Sequence, residues 1–288
     1  MKTVNCSEML TKAIAGGYAV PQFNVNGLEW TKGILEVCEE LRSPVILGVA
    51  MKAAEAMAGY QTVTNMVEGM LEDMHITVPV ALHLDHGSYD ACLACLDAGF
   101  SSVMFDGSKL PFEENVKKVE DLVERCRAAG VSLEAEVGTI GAHSGGAVSS
   151  GECADPAECE KMAQLGVTML AAGIGNIHGI YPADWQGLNW DVLTAIKQRV
   201  GALPLVLHGG SGIPAEMLRQ AITLGVGKIN INTECQIAFM KGVRQYFEED
   251  RDRMEKGYFV RTMLTAGMEQ MKPVLREKIR LFGCAGKA

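Results

Sequence analysis

The chain has 288 residues and 48% of them are hydrophobic, enough to bury one large α/β barrel or two modest domains. Its 26 lysines and arginines against 35 aspartates and glutamates give a net charge of −9, which argues against nucleic acid and anionic membranes as partners. An anionic small molecule stays compatible with this charge, because a local pocket can oppose the global sign.

The start of the chain and its cysteines predict a cytoplasmic protein. Residues 1–5 contain no basic flank followed by an apolar run, and no stretch approaches the ~20 apolar residues that span a bilayer. The nine cysteines are an odd number scattered through apolar segments, which indicates reduced thiols and argues against a secreted disulfide framework.

Eight short apolar runs alternate with helical patterns along the chain. Most runs have four to six residues, are rich in Val, Ile and Leu, and precede Gly, Asn or Asp, as is typical of parallel strands buried on both faces. The predicted strands are 19–23, 45–49, 80–84, 102–105, 132–137, 169–173, 205–207 and 228–231. Strand-then-helix units at about thirty-residue spacing predict an α/β fold, a (β/α)8 TIM barrel that forms one domain over residues 1–288.

Two segments go beyond the simple repeat. Residues 139–156 are poor in apolar side chains and long for a connection, so they predict a mobile loop over the barrel mouth. Residues 234–288 form a C-terminal extension, in which 234–253 and 259–281 are amphipathic helices. These additional helices either brace the barrel or form a subunit contact.

Three of the six histidines come directly after predicted strands. His86, His178 and His208 follow the third, sixth and seventh strands. Barrel active sites form at the carboxyl ends of the strands, so these side chains are expected to converge on one rim. One strand-end histidine would indicate only a hydrogen-bonded core or surface residue. Three imidazoles at the same end predict a catalytic zinc site with an open position.

Carboxylates are predicted beside these histidines. Alternation directs His83 and Asp85 into the barrel and leaves His86 to the strand end. Asp85 can then exchange a proton with substrate or orient an imidazole. Glu134 and Glu136 share the inward face of the fifth strand, where ionised carboxylates require a metal or a buried Lys or Arg. Glu136, nearer the rim, is the candidate metal ligand, whereas Glu134 and His83 are interpreted as structural.

Polar and glycine-rich residues follow the seventh and eighth predicted strands. These positions form the phosphate site of many TIM barrels, where backbone N–H groups and the hydroxyls of Ser211 and Thr233 would be donors. Asn230 and Asn232 have the same parity, so both can face a polar substrate. The Gly-Gly-Ser-Gly segment would by itself indicate only a turn, and it points to a phosphate site only because it follows the seventh predicted strand.

With these residues in place, the chain resembles the metal-dependent class II aldolases of the fructose- and tagatose-bisphosphate family. The resemblance runs from Val20 to Lys287, and its motifs lie at 22–26, 43–47, 83–87, 104–108, 134–138, 175–179 and 207–212. It implies the same barrel fold and a zinc-dependent carbon–carbon lyase that acts on a sugar or sugar phosphate.

The resemblance also implies roles for individual residues. His86, His178 and His208 would hold one catalytic Zn²⁺, and Glu136 would serve an alternative metal position for a second divalent or monovalent cation. Asp85 would handle the proton of the substrate C4 hydroxyl. By the resemblance and by strand parity, the substrate-binding residues are Asn24, Gly179, Gly209, Ser211, Asn230, Asn232 and Thr233. We expect a homodimer or a homotetramer.

Two departures from the family pattern bear on the chemistry. Eight residues after the position of Glu136, the family carries a Glu that transfers the C3 proton, but this chain has Ser144, preceded by His143. Replacement by His143, by Glu152 or by a water-mediated route stays open, and His143 is the candidate catalytic residue. Many family members also place a Lys shortly after the position of Gly179, and this chain has none there.

We therefore predict an aldolase that cleaves or forms the C3–C4 bond of a ketose. The expected substrate is a ketose 1-phosphate or bisphosphate, which gives dihydroxyacetone phosphate and an aldehyde. The missing lysine favours an alternative, an unphosphorylated ketose or keto-sugar acid, because a charge-assisted hydrogen bond is worth roughly 1.5–3 kcal/mol. A barrel that binds metal and sugar without catalysis is a third alternative, since the loop carboxylate is missing.

Overall fold

The computed structural model describes the backbone of residues 2–144 and 147–288, with all their side chains except those of residues 143, 144, 147, 148 and 150. The strands are β1 Val20–Asn24, β2 Val45–Ala50, β3 Val80–Gly87, β4 Ser102–Phe105, β5 Ser132–Val137, β6 Thr139–Ser144, β7 Ala147–Glu152, β8 Met169–Ala172, β9 Leu205–Leu207 and β10 Val226–Ile231. Eight of them close a parallel barrel in the order β1-β10-β9-β8-β5-β4-β3-β2. The predicted TIM barrel is confirmed.

Helices cover the outside of the barrel. They are α1 Ser7–Gly16, α2 Leu28–Glu40, α3 Met51–Ala56, α4 Tyr60–Asp73, α5 Tyr89–Asp97, α6 Phe112–Ala129, α7 Pro156–Gln164, α8 Trp190–Val200, α9 Ala215–Thr223, α10 Thr233–Glu248 and α11 Val260–Leu281. Their apolar faces bury side chains such as Ile34 and Leu35 of α2 and Val119 and Leu122 of α6 against the strands. Among the described residues, no helix is long and apolar enough to cross a membrane.

The segment predicted as a loop contains regular structure. β6 and β7 form an antiparallel hairpin, in which Thr139 lies opposite Glu152 and Ala142 opposite Ser149. Gly151, whose φ is +70°, lies in this hairpin where a Cβ would meet the Thr139 carbonyl oxygen at 2.3 Å. The segment is polar because a two-stranded ribbon above the barrel buries little, so its low apolar content did not distinguish it from a loop.

The C-terminal extension consists of α10 and α11, which pack against each other. The first helix is shorter than the predicted 234–253, because α10 ends at Glu248 and a 3-10 turn follows over Arg251–Arg253. Asp250 lies between them with a φ of +51°, a left-handed conformation that breaks the helix. α11 also contacts α2, so this extension braces the barrel wall.

Candidate active site

The three histidines predicted as metal ligands lie together at the carboxyl end of the barrel. The Nε2 atoms of His86 and His178 are 3.3 Å apart, and the ring of His208 lies 4.6 Å from that of His86. One ring nitrogen of each residue lies within 4.8 Å of the other two. Tetrahedral zinc with Zn–N bonds of about 2.0–2.1 Å separates two nitrogens by about 3.3–3.4 Å, so this donor set fits zinc.

A bulge in β3 brings His86 to this site. Leu84 pairs with Val103 and Gly87 pairs with Phe105, so β3 has one residue more than β4 across this step. His86 takes up the extra residue with a φ of +52°, a strained conformation for a side chain of this size. The bulge lets Asp85 and His86 both reach the site, although strand alternation alone would direct them to opposite faces.

Hydrogen bonds fix the orientation of two of these imidazoles. His86 Nδ1 donates to Asp106 Oδ2 at 2.9 Å, and His208 Nε2 donates to Glu134 Oε1 at 2.8 Å. In the neutral rings, each bond leaves the opposite nitrogen, Nε2 of His86 and Nδ1 of His208, without a proton, and Nδ1 of His208 lies 3.1 Å from Asn230 Nδ2. Burial lowers the pKa of His178 to about 3, with a further contribution from the neighbouring histidines. The uncharged imidazole that metal binding requires is therefore the stable form of His178.

A second group of donors shares His86. Asp106, Glu136 and His86 also have ligand atoms within 4.8 Å of one another. Burial and the nearby Asp106 carboxylate raise the pKa of Glu136 to about 8, and its Oε2 atom has no hydrogen-bond partner. Asp106 was not predicted as a site residue. Its position directly after β4, in line with the other strand-end donors, is the signal that could have identified it.

Asp85 lies in the substrate cavity and is held by two asparagines. Asn24 Nδ2 donates to its Oδ2 at 2.7 Å, and Asn230 Nδ2 lies 3.5 Å from its Oδ1. Burial alone would raise the pKa of Asp85, but the positive charge of His86, with a contribution from Lys228, lowers it well below its usual range. Asp85 is therefore an ionised base at neutral pH.

Below the rim, charged side chains satisfy one another inside the barrel. Lys228 Nζ donates to Glu134 Oε2 at 2.7 Å, and both side chains are completely buried. His83 Nδ1 lies 2.7 Å from Ser102 Oγ, and burial lowers the pKa of this imidazole to about 3. Of the two options that the sequence left open for Glu134, the buried lysine is the one found, and the structural interpretation of Glu134 and His83 agrees with these contacts.

A cavity of about 200 Å³ opens at this rim. It is lined by Asn24, Ala50, Asp85, His86, His178, Gly179, His208, Gly209, Ser211, Asn230, Asn232 and Thr233. The structure thus brings together every residue that was predicted to bind substrate, the three histidines and Asp85. Glu136 lies behind His86 and lines a neighbouring cavity with Glu152 and Cys153.

The glycine-rich loop after β9 lies against the start of α10. Ser211 Oγ accepts hydrogen bonds from the amides of Asn232 and Glu234, both at 3.3 Å. The carboxylate of Glu234 accepts from Gly212 N at 2.6 Å and pairs with Lys278 Nζ of α11 at 2.6 Å. No Lys or Arg is among the described residues that line the cavity.

Backbone hydrogen bonds join the hairpin to the metal site. The amide of His178 donates to the Gly141 carbonyl at 2.7 Å, and the amide of Gly141 donates to the Asn176 carbonyl at 3.0 Å. The predicted catalytic role of His143 concerns a side chain outside the described part of the chain. Glu152 lies at the base of the hairpin, where its amide bonds to Thr139 Oγ1, and not in the substrate cavity.

Comparison with known proteins agrees with this site. Residues 4–287 match the family model of fructose-bisphosphate aldolase class II. A fructose-bisphosphate aldolase from Mycoplasma pneumoniae is 48% identical over 287 residues and covers 99% of each chain. A fructose-bisphosphate aldolase from Streptococcus pneumoniae is 44% identical over the full length of both chains. The crystal structure of the YdjI aldolase from Escherichia coli K12 matches with a TM-score of 0.85 at 30% identity, covering 99% of each chain.

These similarities confirm the predicted enzyme class, a metal-dependent aldolase of a family that acts on sugar phosphates, and they favour catalysis over a barrel that only binds. The family is zinc-dependent, which agrees with the imidazole donors at the rim. The chain belongs to the class II fructose-bisphosphate aldolase family.

Proposed function

We propose that this chain cleaves the C3–C4 bond of a phosphorylated ketose at the cavity lined by Asp85 and the three histidines. The observation that carries this proposal is the position of Asp85, an ionised carboxylate held by Asn24 in the same cavity as the metal donors. Asp85 accepts the C4 hydroxyl proton as the C3–C4 bond breaks, and the aldehyde leaves with the C4 carbonyl. In the direction of synthesis it returns this proton.

The metal donors are His86, His178 and His208. These residues would hold a zinc ion, and the chemistry that it would supply there is Lewis-acid polarisation of the ketose carbonyl, which stabilises the charge that develops at C2 and C3. Asp106 and Glu134 keep two of the imidazoles in the ring orientation that this role needs. Asp106 and Glu136 together offer the second, alternative cation position beside His86.

Neutral donors hold the substrate. In this proposal, the amides around Gly179 and Gly209 and the hydroxyls of Ser211 and Thr233 bind the C1 phosphate at the start of α10, where the helix dipole favours an anion. The amides of Asn230 and Asn232 face the hydroxylated carbons. After cleavage, C3 must receive a proton, and the candidate donor is His143, which directly precedes Ser144, the position where the family carries a carboxylate.

One observation favours an unphosphorylated ketose or keto-sugar acid as a second candidate substrate. The described lining residues include no cation, and the carboxylate of Glu234 already bonds to the Gly212 amide in the loop that would receive the phosphate. A doubly charged group would therefore be held by dipoles alone, without the charge-assisted bond that a lysine provides.

The C-terminal extension is the proposed subunit contact of a homodimer or homotetramer. Six of the ten large hydrophobic side chains that are exposed in the described part of the chain lie on it. They are Ile237, Met240, Phe247, Met254, Tyr258 and Val260. An apolar surface of this kind is typical of an interface between subunits. Sedimentation analysis that finds only monomers at micromolar concentration would reject this contact.

The test of the proposed reaction is Asp85→Asn. We expect kcat for ketose cleavage to fall by about 10²–10⁴-fold, because the general base is lost while its shape remains. Zinc stoichiometry should stay at the wild-type value. Asp121→Asn, on the exposed face of α6, is the matched control and should leave kcat unchanged. A kcat within twofold of wild type in Asp85→Asn would reject the assignment.

The substrate class is tested with ketoses that differ only in the C1 phosphate. If phosphate is recognised, kcat/KM for the phosphorylated ketose should exceed that of its partner by at least about tenfold, equivalent to one hydrogen bond of about 1.4 kcal/mol. Equal values for the two ketoses would favour the second candidate.

A further inference from the structure

The loops that carry His178 and His208 lie directly against each other. A Cβ at Gly209, whose φ is +66°, would meet the Ile177 carbonyl oxygen at 2.2 Å, so the two backbones touch. The hydroxyl of Tyr181 lies between the same two loops. It accepts a hydrogen bond from the Ile177 amide at 3.0 Å and donates one to the Gly209 carbonyl at 2.9 Å.

Both partners of this hydroxyl are chain neighbours of metal donors. Ile177 directly precedes His178, and Gly209 directly follows His208. The backbone position beside a ligand determines where its imidazole can lie, because only two side-chain torsions separate the ring from the chain. One hydroxyl group therefore bridges the backbone beside two donors from different loops.

The ring of Tyr181 is itself held in place. It packs against Trp185 with the ring centroids 4.2 Å apart and the ring planes inclined by 56°, and Trp185 Nε1 donates to the Gly175 carbonyl at 2.8 Å. Burial raises the pKa of Tyr181 to about 12, so the hydroxyl keeps the proton that it donates. The side chain is not among the residues that line the substrate cavity.

We propose that Tyr181 is a positioning residue that sets the distance between His178 and His208 and thereby the affinity for metal. The inference rests on the proposed metal site, which it deepens by assigning a residue that touches neither the ion nor the substrate. A second bond between the loops, from Asn176 Nδ2 to the His208 carbonyl at 3.0 Å, remains when Tyr181 is changed. Loss of the hydroxyl should therefore weaken metal binding without abolishing it.

The test is Tyr181→Phe, which keeps the ring packed against Trp185 and removes both hydrogen bonds. We expect the Kd for zinc, measured on metal-free protein by competition with a chromophoric chelator, to rise by ~10–100-fold, as for other groups that orient ligands indirectly. The visible absorption of the cobalt-substituted protein should also change, since the donors move relative to each other. Trp185→Phe, which keeps the Tyr181 hydroxyl, should raise the Kd by a smaller factor.

A matched control removes a similar hydroxyl far from the site. The Tyr246 hydroxyl donates to the Gly257 carbonyl and bonds to Thr262 Oγ1 in the C-terminal extension. Tyr246→Phe should lower Tm without changing the Kd for zinc. If Tyr181→Phe behaves like this control, with a lower Tm and a wild-type Kd and cobalt spectrum, the positioning role is overturned. A wild-type chain that binds no zinc would overturn the metal site along with it.

Discussion

Two layers of the barrel interior shift the pKa of a buried glutamate in opposite directions. In the inner layer, formed by His83, Glu134 and Lys228, Glu134 contacts a buried ammonium group, and the net effect of its surroundings lowers its pKa well below the usual range. At the rim, Glu136 has no lysine or arginine partner; its nearest cationic group is the His86 imidazole, 3.7 Å away, and burial together with the Asp106 carboxylate still raises its pKa to about 8. The two residues share one strand and one face.

The contrast distinguishes a carboxylate that stabilises the fold through an ion pair from one that can bind a cation. Burying a charge is costly, so a buried carboxylate either pairs with a cation or keeps its proton. Glu134 pairs with Lys228, and Glu136 keeps its proton when no metal cation is bound. The state of each carboxylate, more than its place in the sequence, indicates its role.

The largest expected effect comes from breaking the inner layer. Glu134→Gln leaves the Lys228 ammonium buried without a counter-charge, and we expect the free energy of unfolding to fall by about 3–5 kcal/mol. Urea denaturation followed by circular dichroism measures this loss. Replacing both residues by Met should cost less than Glu134→Gln alone, because no charge is then left unpaired. A single-variant loss below 1 kcal/mol would contradict the assignment of the inner layer.

The rim should instead gain stability from metal. Zinc at a free concentration of 100 times its Kd should raise the free energy of unfolding by ~2.7 kcal/mol, because it binds the folded chain. Thermal denaturation with and without zinc measures the gain. His178→Ala removes a donor and should reduce the gain at the same zinc concentration. An undiminished gain in that variant would place the ion elsewhere.

A smaller effect, with a defined pH dependence, is expected for Glu136→Gln in metal-free protein. Its folded pKa of about 8 lies above the usual 4.5, so the stability due to its proton is full below pH 4.5 and is lost as the pH rises through 8. At pH 4, where the carboxyl keeps its proton in both the folded and the unfolded chain, the substitution should change the free energy of unfolding by less than about 1 kcal/mol, since glutamine resembles the protonated acid.

Because glutamine cannot ionise, the stability of this variant relative to wild type should increase between pH 6 and pH 9. Chemical denaturation at the two pH values measures the difference. A relative stability that stays constant over this range would mean that Glu136 is ionised in the folded protein, as Glu134 is.

The smallest expected effect is the difference in reaction rate between cysteine thiols near the two layers. It can be measured in the wild-type protein. Cys6 lies beside the inner layer, and burial raises its pKa to about 11, whereas Cys153 is exposed in the cavity that Glu136 lines. At pH 8 we expect one rapid equivalent of reaction with a thiol reagent, at Cys153, and the other eight only after unfolding. A second rapid equivalent would show that the interior opens readily.

The sequence predicts the elements of this molecule better than the contacts between them. The eight strands, the strand-end histidines and the inward direction of Asp85 follow from local periodicity. The pairing of Glu134 with Lys228 joins residues 94 positions apart, and it depends on barrel closure. The extra residue in β3 that brings His86 inward likewise depends on the register against β4, which no local pattern records.

The hydrogen bonds between the β6–β7 hairpin and the His178 loop connect the ordering of the hairpin with the binding of the metal. The amide of His178, a proposed metal donor, bonds to the Gly141 carbonyl of the hairpin. This hydrogen bond therefore contributes both to the stability of the hairpin and to the position of a metal donor. Thermodynamic linkage is reciprocal, so a ligand that stabilises this arrangement of the hairpin would tighten metal binding by the same factor by which the metal would stabilise the hairpin. The ribbon above the barrel is therefore an energetic part of the metal site, although it contributes no ligand from its described side chains.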